Sequence, residues 1–140
     1  MRATFEIDGT IAITSGDEVY FDLHNDFDFV GFEYRPTEKK ARLEWRRGDG
    51  DWVAANLPKR VCLLFEGVGN FAVRRRDDVM PFSEDSCVAS ITFCPPVLAE
   101  EFAAVCPGYR ADDEHISLTF MSGAALKIWA ASVTHETQTA

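Results

Sequence analysis

The densest group of side chains that could do chemistry lies between residues 22 and 28. Three carboxylates and an imidazole occupy alternate positions there: Asp22, His24, Asp26 and Asp28. On one extended strand they would share a face, and such oxygen and nitrogen ligands can hold a divalent cation. Asn25-Asp26 is typical of a turn, however, and a turn would break the common face. The sequence therefore predicts an acidic rim that meets a partner, and no metal site.

A second group is cationic. Arg74, Arg75 and Arg76 follow a short apolar strand pattern and precede two acids and an apolar segment with a proline, residues 77–82. A long loop of this composition either packs over the end of a sheet or recognises something. These three arginines form the alternative candidate site, one for an anionic ligand.

No segment has the spacing of a catalytic motif. The sequence contains no Gly-x-Ser-x-Gly, and Gly67-Val68-Gly69 lacks both the third glycine and the following helix of a phosphate-binding loop. No Cys-x-x-Cys occurs and no histidine lies within five residues of a cysteine, so a structural zinc site is not expected. We predict no catalytic residue and no cofactor. Whether the protein is an enzyme stays open, with a non-enzymatic role favoured.

Length and composition limit the remaining classes. The chain has 140 residues, 14 basic and 23 acidic, for a net charge of −9. This length predicts one domain over residues 1–134, followed by a frayed tail over 135–140. Its longest unbroken apolar run, Val61 to Phe65, is far too short to span a membrane. The acidic N-terminus does not resemble an export signal, so we expect a cytoplasmic protein with reduced cysteines.

The charge is unevenly distributed along the chain. Residues 1–34 carry −7, residues 35–76 carry +6 and residues 77–140 carry −8. In one explanation the basic segment pairs with acids across a sheet, and a hairpin loop at 36–39 would place Glu33 opposite Arg42. In the other, the same cations form a patch for an anion. We favour the first, which leaves an acidic surface suited to a basic protein partner and makes nucleic acid an unlikely ligand.

The elements that must position these residues are strands. Apolar residues alternate with polar ones in short segments separated by Gly, Asp, Asn and Pro, which predicts an antiparallel sandwich or flattened barrel of about eight strands. Helical spacing occurs only near residues 97–106. The alternation predicts a core of Phe5, Ile7, Phe21, Phe29, Leu43, Val61, Leu63, Phe65, Ile91, Phe93, Leu118, Phe120 and Ile128.

Two of the strand segments, residues 61–68 and 123–130, resemble strands of small bacterial domains of unknown function. Some of those domains are similar to immunity proteins of polymorphic-toxin systems. The resemblance implies a bacterial cytoplasmic protein that binds another protein, and it transfers no functional residue. We therefore expect a non-enzymatic interaction module, an immunity-type inhibitor of a basic partner. The alternative is a β-domain, an enzyme included, that binds a small ligand or a metal; 11 phenylalanines and the acids of residues 22–28 favour it.

Overall fold

The computed structural model describes residues 1–16, 19–95 and 114–139, and they form an all-β fold of three sheets. The strands are β1 (Arg2–Ala3), β2 (Glu6–Asp8), β3 (Ala12–Thr14), β4 (Tyr20–Asp22), β5 (Phe27–Arg35), β6 (Lys40–Arg47), β7 (Arg60–Glu66), β8 (Asn70–Arg74), β9 (Val88–Cys94), β10 (His115–Phe120), β11 (Ala125–Trp129) and β12 (Ser132–Gln138). One short 3-10 helix spans Phe82–Ser86. The predicted all-β class is confirmed, whereas the helix expected near 97–106 lies outside the described residues.

The largest sheet has five strands in the order β1-β12-β7-β6-β5. Its β5–β6 hairpin has the register that the sequence predicts, with Glu33 opposite Arg42. The register shifts between Phe29 and Gly31, so Val30 is the extra residue of a β-bulge. The bulge returns the aromatic side chains that follow it to the inner face of the sheet.

Two smaller sheets complete the fold, a four-stranded one in the order β8-β11-β10-β9 and a three-stranded one in the order β2-β3-β4. The Asp8-Gly9 pair predicts a tight turn between β2 and β3, and the turn lies one residue further along, because Asp8 is the last residue of β2 and the N–H of Ile11 donates to its carbonyl oxygen. Gly9 and Thr10 both have positive φ, 58° and 61°, as a tight turn of this hand requires.

The core lies between the five-stranded and the four-stranded sheets and extends under the three-stranded one. The ring centroid of Phe29 on β5 is 4.8 Å from that of Phe120 on β10, and Tyr34 is 4.8 Å from Phe71 on β8. The predicted core residues are buried, except Ile7 and Phe29, which are half-buried and pack against the rest. The arrangement fits the sandwich that the sequence predicts.

Two expectations need correction. The segment expected to fray from residue 135 belongs to β12, which pairs with β7 from Ser132 to Gln138. The cysteines were expected to be reduced, but Cys94 is disulfide-bonded, while Cys62 and Cys87 are free thiols. The pairing of β12 with β7 has no local sequence signal, because it depends on which distant segments meet.

Candidate functional site

The outward face of the three-stranded sheet collects acidic side chains. Cross-strand register places Asp8, Ala12 and Asp22 in one row and Glu6, Thr14 and Tyr20 in the next. Directly paired residues lie on the same side of a sheet, so both rows lie opposite Ile13 and Phe21. Glu6, Asp8 and Tyr20 are exposed there and Asp22 is half-buried, whereas Ala12 is fully buried. Asp26 follows in the next turn. We call Glu6, Asp8, Tyr20, Asp22 and Asp26 the acidic face.

Electrostatics show that these carboxylates are close enough to interact. The pKa of Tyr20 is raised, first by partial desolvation and then by the negative charges of Asp22, Asp8 and Asp26. The pKa of Asp26 is raised as well, by burial and by the charge of Asp22. Repulsion among like charges therefore remains in the folded protein.

A turn built by Asp22 connects the acidic face to β5. One oxygen of Asp22, Oδ1, accepts hydrogen bonds from the backbone N–H groups of His24 (3.0 Å) and Asn25 (2.9 Å). The other, Oδ2, accepts one from the side-chain amide of Asn25 at 2.8 Å. Asp residues favour such turns because the side chain satisfies backbone donors that have no strand partner. Asp22 thus has a structural role as well as a charge.

An exposed tryptophan stands beside this turn. The N–H of Gly48 donates to the carbonyl oxygen of Asp26 at 2.8 Å, and Trp52 Nε1 donates to the carbonyl oxygen of Asn25 at 3.0 Å. A Cβ at Gly50 would lie 2.5 Å from the indole ring, so only glycine fits there without movement. Trp52 keeps 74% of its surface exposed. The contacts orient a large aromatic side chain without burying it.

Three acids of the acidic face are not matched by a base in the described part of the chain. Asp8, Asp22 and Asp26 form no ion pair there at 4.0 Å or less. The first 34 residues contain a single basic side chain, Arg2. Among the described residues, no ion pair therefore neutralises the charges of these three carboxylates.

Only two of the four residues expected to bind a partner belong to the acidic face, namely Asp22 and Asp26. His24 turns inward, and its Nδ1 lies 2.5 Å from the carbonyl oxygen of Val88. Asp28 stands on β5 opposite Arg46. The turn at residues 23–26 separates the four side chains, which is the outcome that Asn25-Asp26 predicted.

The three arginines of the alternative site have separate environments. Arg76 donates through Nε to both oxygens of Asp85 at 3.0 and 3.1 Å, and its guanidinium lies 4.2 Å from the centre of the Phe82 ring. Arg75 pairs with Asp78 and stays largely exposed. Arg74 Nε donates to the carbonyl oxygen of Gly123 at 3.0 Å. Arg76 therefore organises the loop, and the three do not form one free cationic cluster.

A buried polar group on the four-stranded sheet was missed by the sequence reasoning. Glu114, His115 and Lys127 are all at most 1% exposed. His115 stacks on Trp129 with ring centroids 4.5 Å apart, and neither of its ring nitrogens has a hydrogen-bond partner among the described residues. Burial and the charge of Lys127 lower the pKa of His115 to about 4. Strand alternation places His115 and Lys127 on the face of the sheet that points away from the core, so the sequence predicts that they are exposed.

Comparison with protein-family models, with curated proteins and with solved structures finds no match to this chain. In the described part of the chain, no three His, Cys, Asp or Glu side chains are grouped so that they could hold a metal ion. No helix among those residues is long and apolar enough to cross a membrane.

Proposed function

We propose that the protein is a non-enzymatic interaction module that binds a basic protein partner through the acidic face. The observation that carries the proposal is the negative charge of Asp8, Asp22 and Asp26 around Tyr20, beside the exposed Trp52, since none of these three carboxylates forms an ion pair with another described residue. Tyrosine and tryptophan are the residue types that most often dominate binding energy at protein interfaces. An acidic rim around such anchors accelerates association with a cationic surface and rejects anionic ones.

The resemblance to immunity proteins supports an inhibitor role within this class. An acidic inhibitor of a basic toxin gains a fast association rate from long-range attraction, and the net charge of −9 provides it. A bacterial, cytoplasmic setting belongs to the same proposal. The disulfide at Cys94 is more typical of an oxidising compartment, so titration of free thiols in protein taken directly from cells tests that part.

The test compares three variants in affinity capture from the native host, with bound proteins identified by mass spectrometry. Asp8→Asn/Asp22→Asn/Asp26→Asn removes charge from the acidic face, and Asn at position 22 keeps an oxygen that can hold the turn. Glu38→Gln/Asp78→Asn/Glu136→Gln is the matched control, because these exposed acids lie on other surfaces. Arg74→Gln/Arg75→Gln probes the alternative site.

We expect one basic protein to be retained by the wild type and the control, and lost from the acidic-face variant. Its capture should weaken steeply between about 50 and 300 mM salt, since the Debye length falls over that range. A Trp52→Ala variant should also lose the same protein, because the complex should dissociate faster. Capture that is abolished by the arginine variant alone would contradict the proposal.

A further inference from the structure

A second surface carries a cleft that is independent of the acidic face. It lies on the outer side of the five-stranded sheet near the β5–β6 loop and has a volume of about 250 Å³. Its lining includes three cations and three glutamates around one apolar side chain: Arg35, Lys40, Arg42, Glu33, Glu38, Glu66 and Leu64. This volume is below the roughly 300–1,000 Å³ of sites for drug-sized ligands, so it suits a small molecule.

Two of the cations are placed to share one ligand. Lys40 and Arg42 are alternate residues of β6, so they stand on the same face about 6–7 Å apart along the strand. A carboxylate accepts charge-assisted hydrogen bonds of about 2.7–2.9 Å through each of its two oxygens. One carboxylate can therefore bridge two such cations.

Both cations remain accessible to a ligand. The Arg42 Nη2 atom contacts Glu44 at 3.0 Å and Cys62 Sγ at 3.1 Å, and the Arg42 side chain nevertheless keeps 40% of its surface exposed, although its Nε is buried and does not face the cleft. The Lys40 Nζ is 3.8 Å from Glu66, which is an ion pair but too long for a hydrogen bond. Arg35 differs, because its Nε already donates to Glu33 at 2.6 Å.

The apolar part of the cleft is next to these cations. Leu64 on β7 lies directly opposite Arg42 and is half-buried on an otherwise charged face. The three glutamates limit the negative charge that the cleft tolerates, so a dianion such as phosphate is disfavoured relative to a monoanion. We propose that the cleft binds a small organic monocarboxylate, with its carboxylate between Lys40 and Arg42 and its apolar body against Leu64.

The test is an NMR titration of the 15N-labelled protein with three probes. Hexanoate supplies both the carboxylate and the apolar body, acetate lacks the apolar body, and hexylamine reverses the charge. We expect saturable hexanoate shifts centred on residues 40–42 and 64–66. Acetate should bind about tenfold more weakly, since burial of apolar CH₂ groups contributes the difference. Hexylamine should leave these signals unchanged.

Two variants assign the site. Arg42→Gln should weaken hexanoate binding about tenfold or more, because a charge-assisted hydrogen bond is lost. Arg60→Gln is the control, since Arg60 also pairs with Glu44 but does not line the cleft. An unchanged amide spectrum away from β6 and β7 shows that each variant is folded. Equal affinities of both variants, shifts at other sites, or comparable binding of hexylamine would each overturn the proposal.

Discussion

Two charged surfaces of this chain differ in whether their acidic side chains form ion pairs. On the outer side of the five-stranded sheet, Glu44 forms ion pairs with both Arg42 and Arg60, and Lys40 pairs with Glu66. On the acidic face, the charges of Asp8, Asp22 and Asp26 all raise the pKa of Tyr20, and none of these carboxylates forms an ion pair with another described residue. Ion pairs therefore offset the acids of the first surface, whereas these three acids of the second keep their charge.

The ion pairs on the five-stranded sheet differ from those expected, although the strand register is the predicted one. Glu33 lies opposite Arg42, as predicted, but it pairs with Arg35 of its own strand. Arg42 in turn pairs with Glu44, two residues along β6. Long arginine side chains reach several acids on one face, so register limits the choice of partner without deciding it.

The largest expected effect is on the free energy of unfolding, and it compares the five-stranded sheet with the three-stranded sheet that carries the acidic face. Leu63 is fully buried on the central strand β7, so Leu63→Ala should cost about 2–5 kcal/mol of unfolding free energy. Ile7→Ala, half-buried under the acidic face, should cost roughly half as much, because less apolar area is lost. Urea denaturation measures both. Equal losses of unfolding free energy in the two variants would contradict a difference in burial between the two sheets.

His115 has a third kind of environment, because it is fully buried and its ring nitrogens have no hydrogen-bond partner in the described part of the chain. The pKa of His115 is about 4 in the folded protein, against about 6.5 when unfolded. Between these values only the unfolded chain binds the proton, so this histidine lowers stability as the pH falls from 6.5 to 4. The loss is on the order of 3 kcal/mol. His115→Phe, which keeps a ring beside Trp129, should abolish that component.

Denaturation of wild type and His115→Phe at several pH values between 4 and 7 measures the difference. Other groups titrate in both proteins, so the difference between the two curves isolates His115. If the unfolding free energies of the two proteins change in parallel with pH, the His115 ring is hydrogen-bonded or in contact with water in the native state.

The smallest effects should have opposite signs on the two surfaces. Glu44→Gln removes an acid shared by two arginines and should destabilise the protein by about 1 kcal/mol. Asp26→Asn relieves repulsion by Asp22 and should stabilise it by a few tenths of a kcal/mol at pH 7. Because the folded pKa of Asp26 is raised, that gain should disappear as the pH falls through it. Thermal unfolding measures both, and a shared sign would contradict the comparison.

Features decided by neighbouring residues could be predicted from the sequence alone. Period-two alternation assigned the strands, because each side chain of a strand points to the face opposite its neighbour. The loop at 36–39 sets the register of the β5–β6 hairpin, because a short loop leaves few ways to pair the flanking strands. The acidic face follows partly from the same logic, since residues 1–34 contain almost no base.

Features decided by contacts between distant segments required the tertiary structure. His24 turns toward Val88, 64 residues away, and β12 pairs with β7 although its sequence lacks a clear apolar pattern. His115 and Lys127 occupy polar positions of their strands and are nevertheless buried. The physical reason is common to all of these. Alternation tells which face of a strand a side chain occupies, but only the packing of the whole chain determines whether that face meets water.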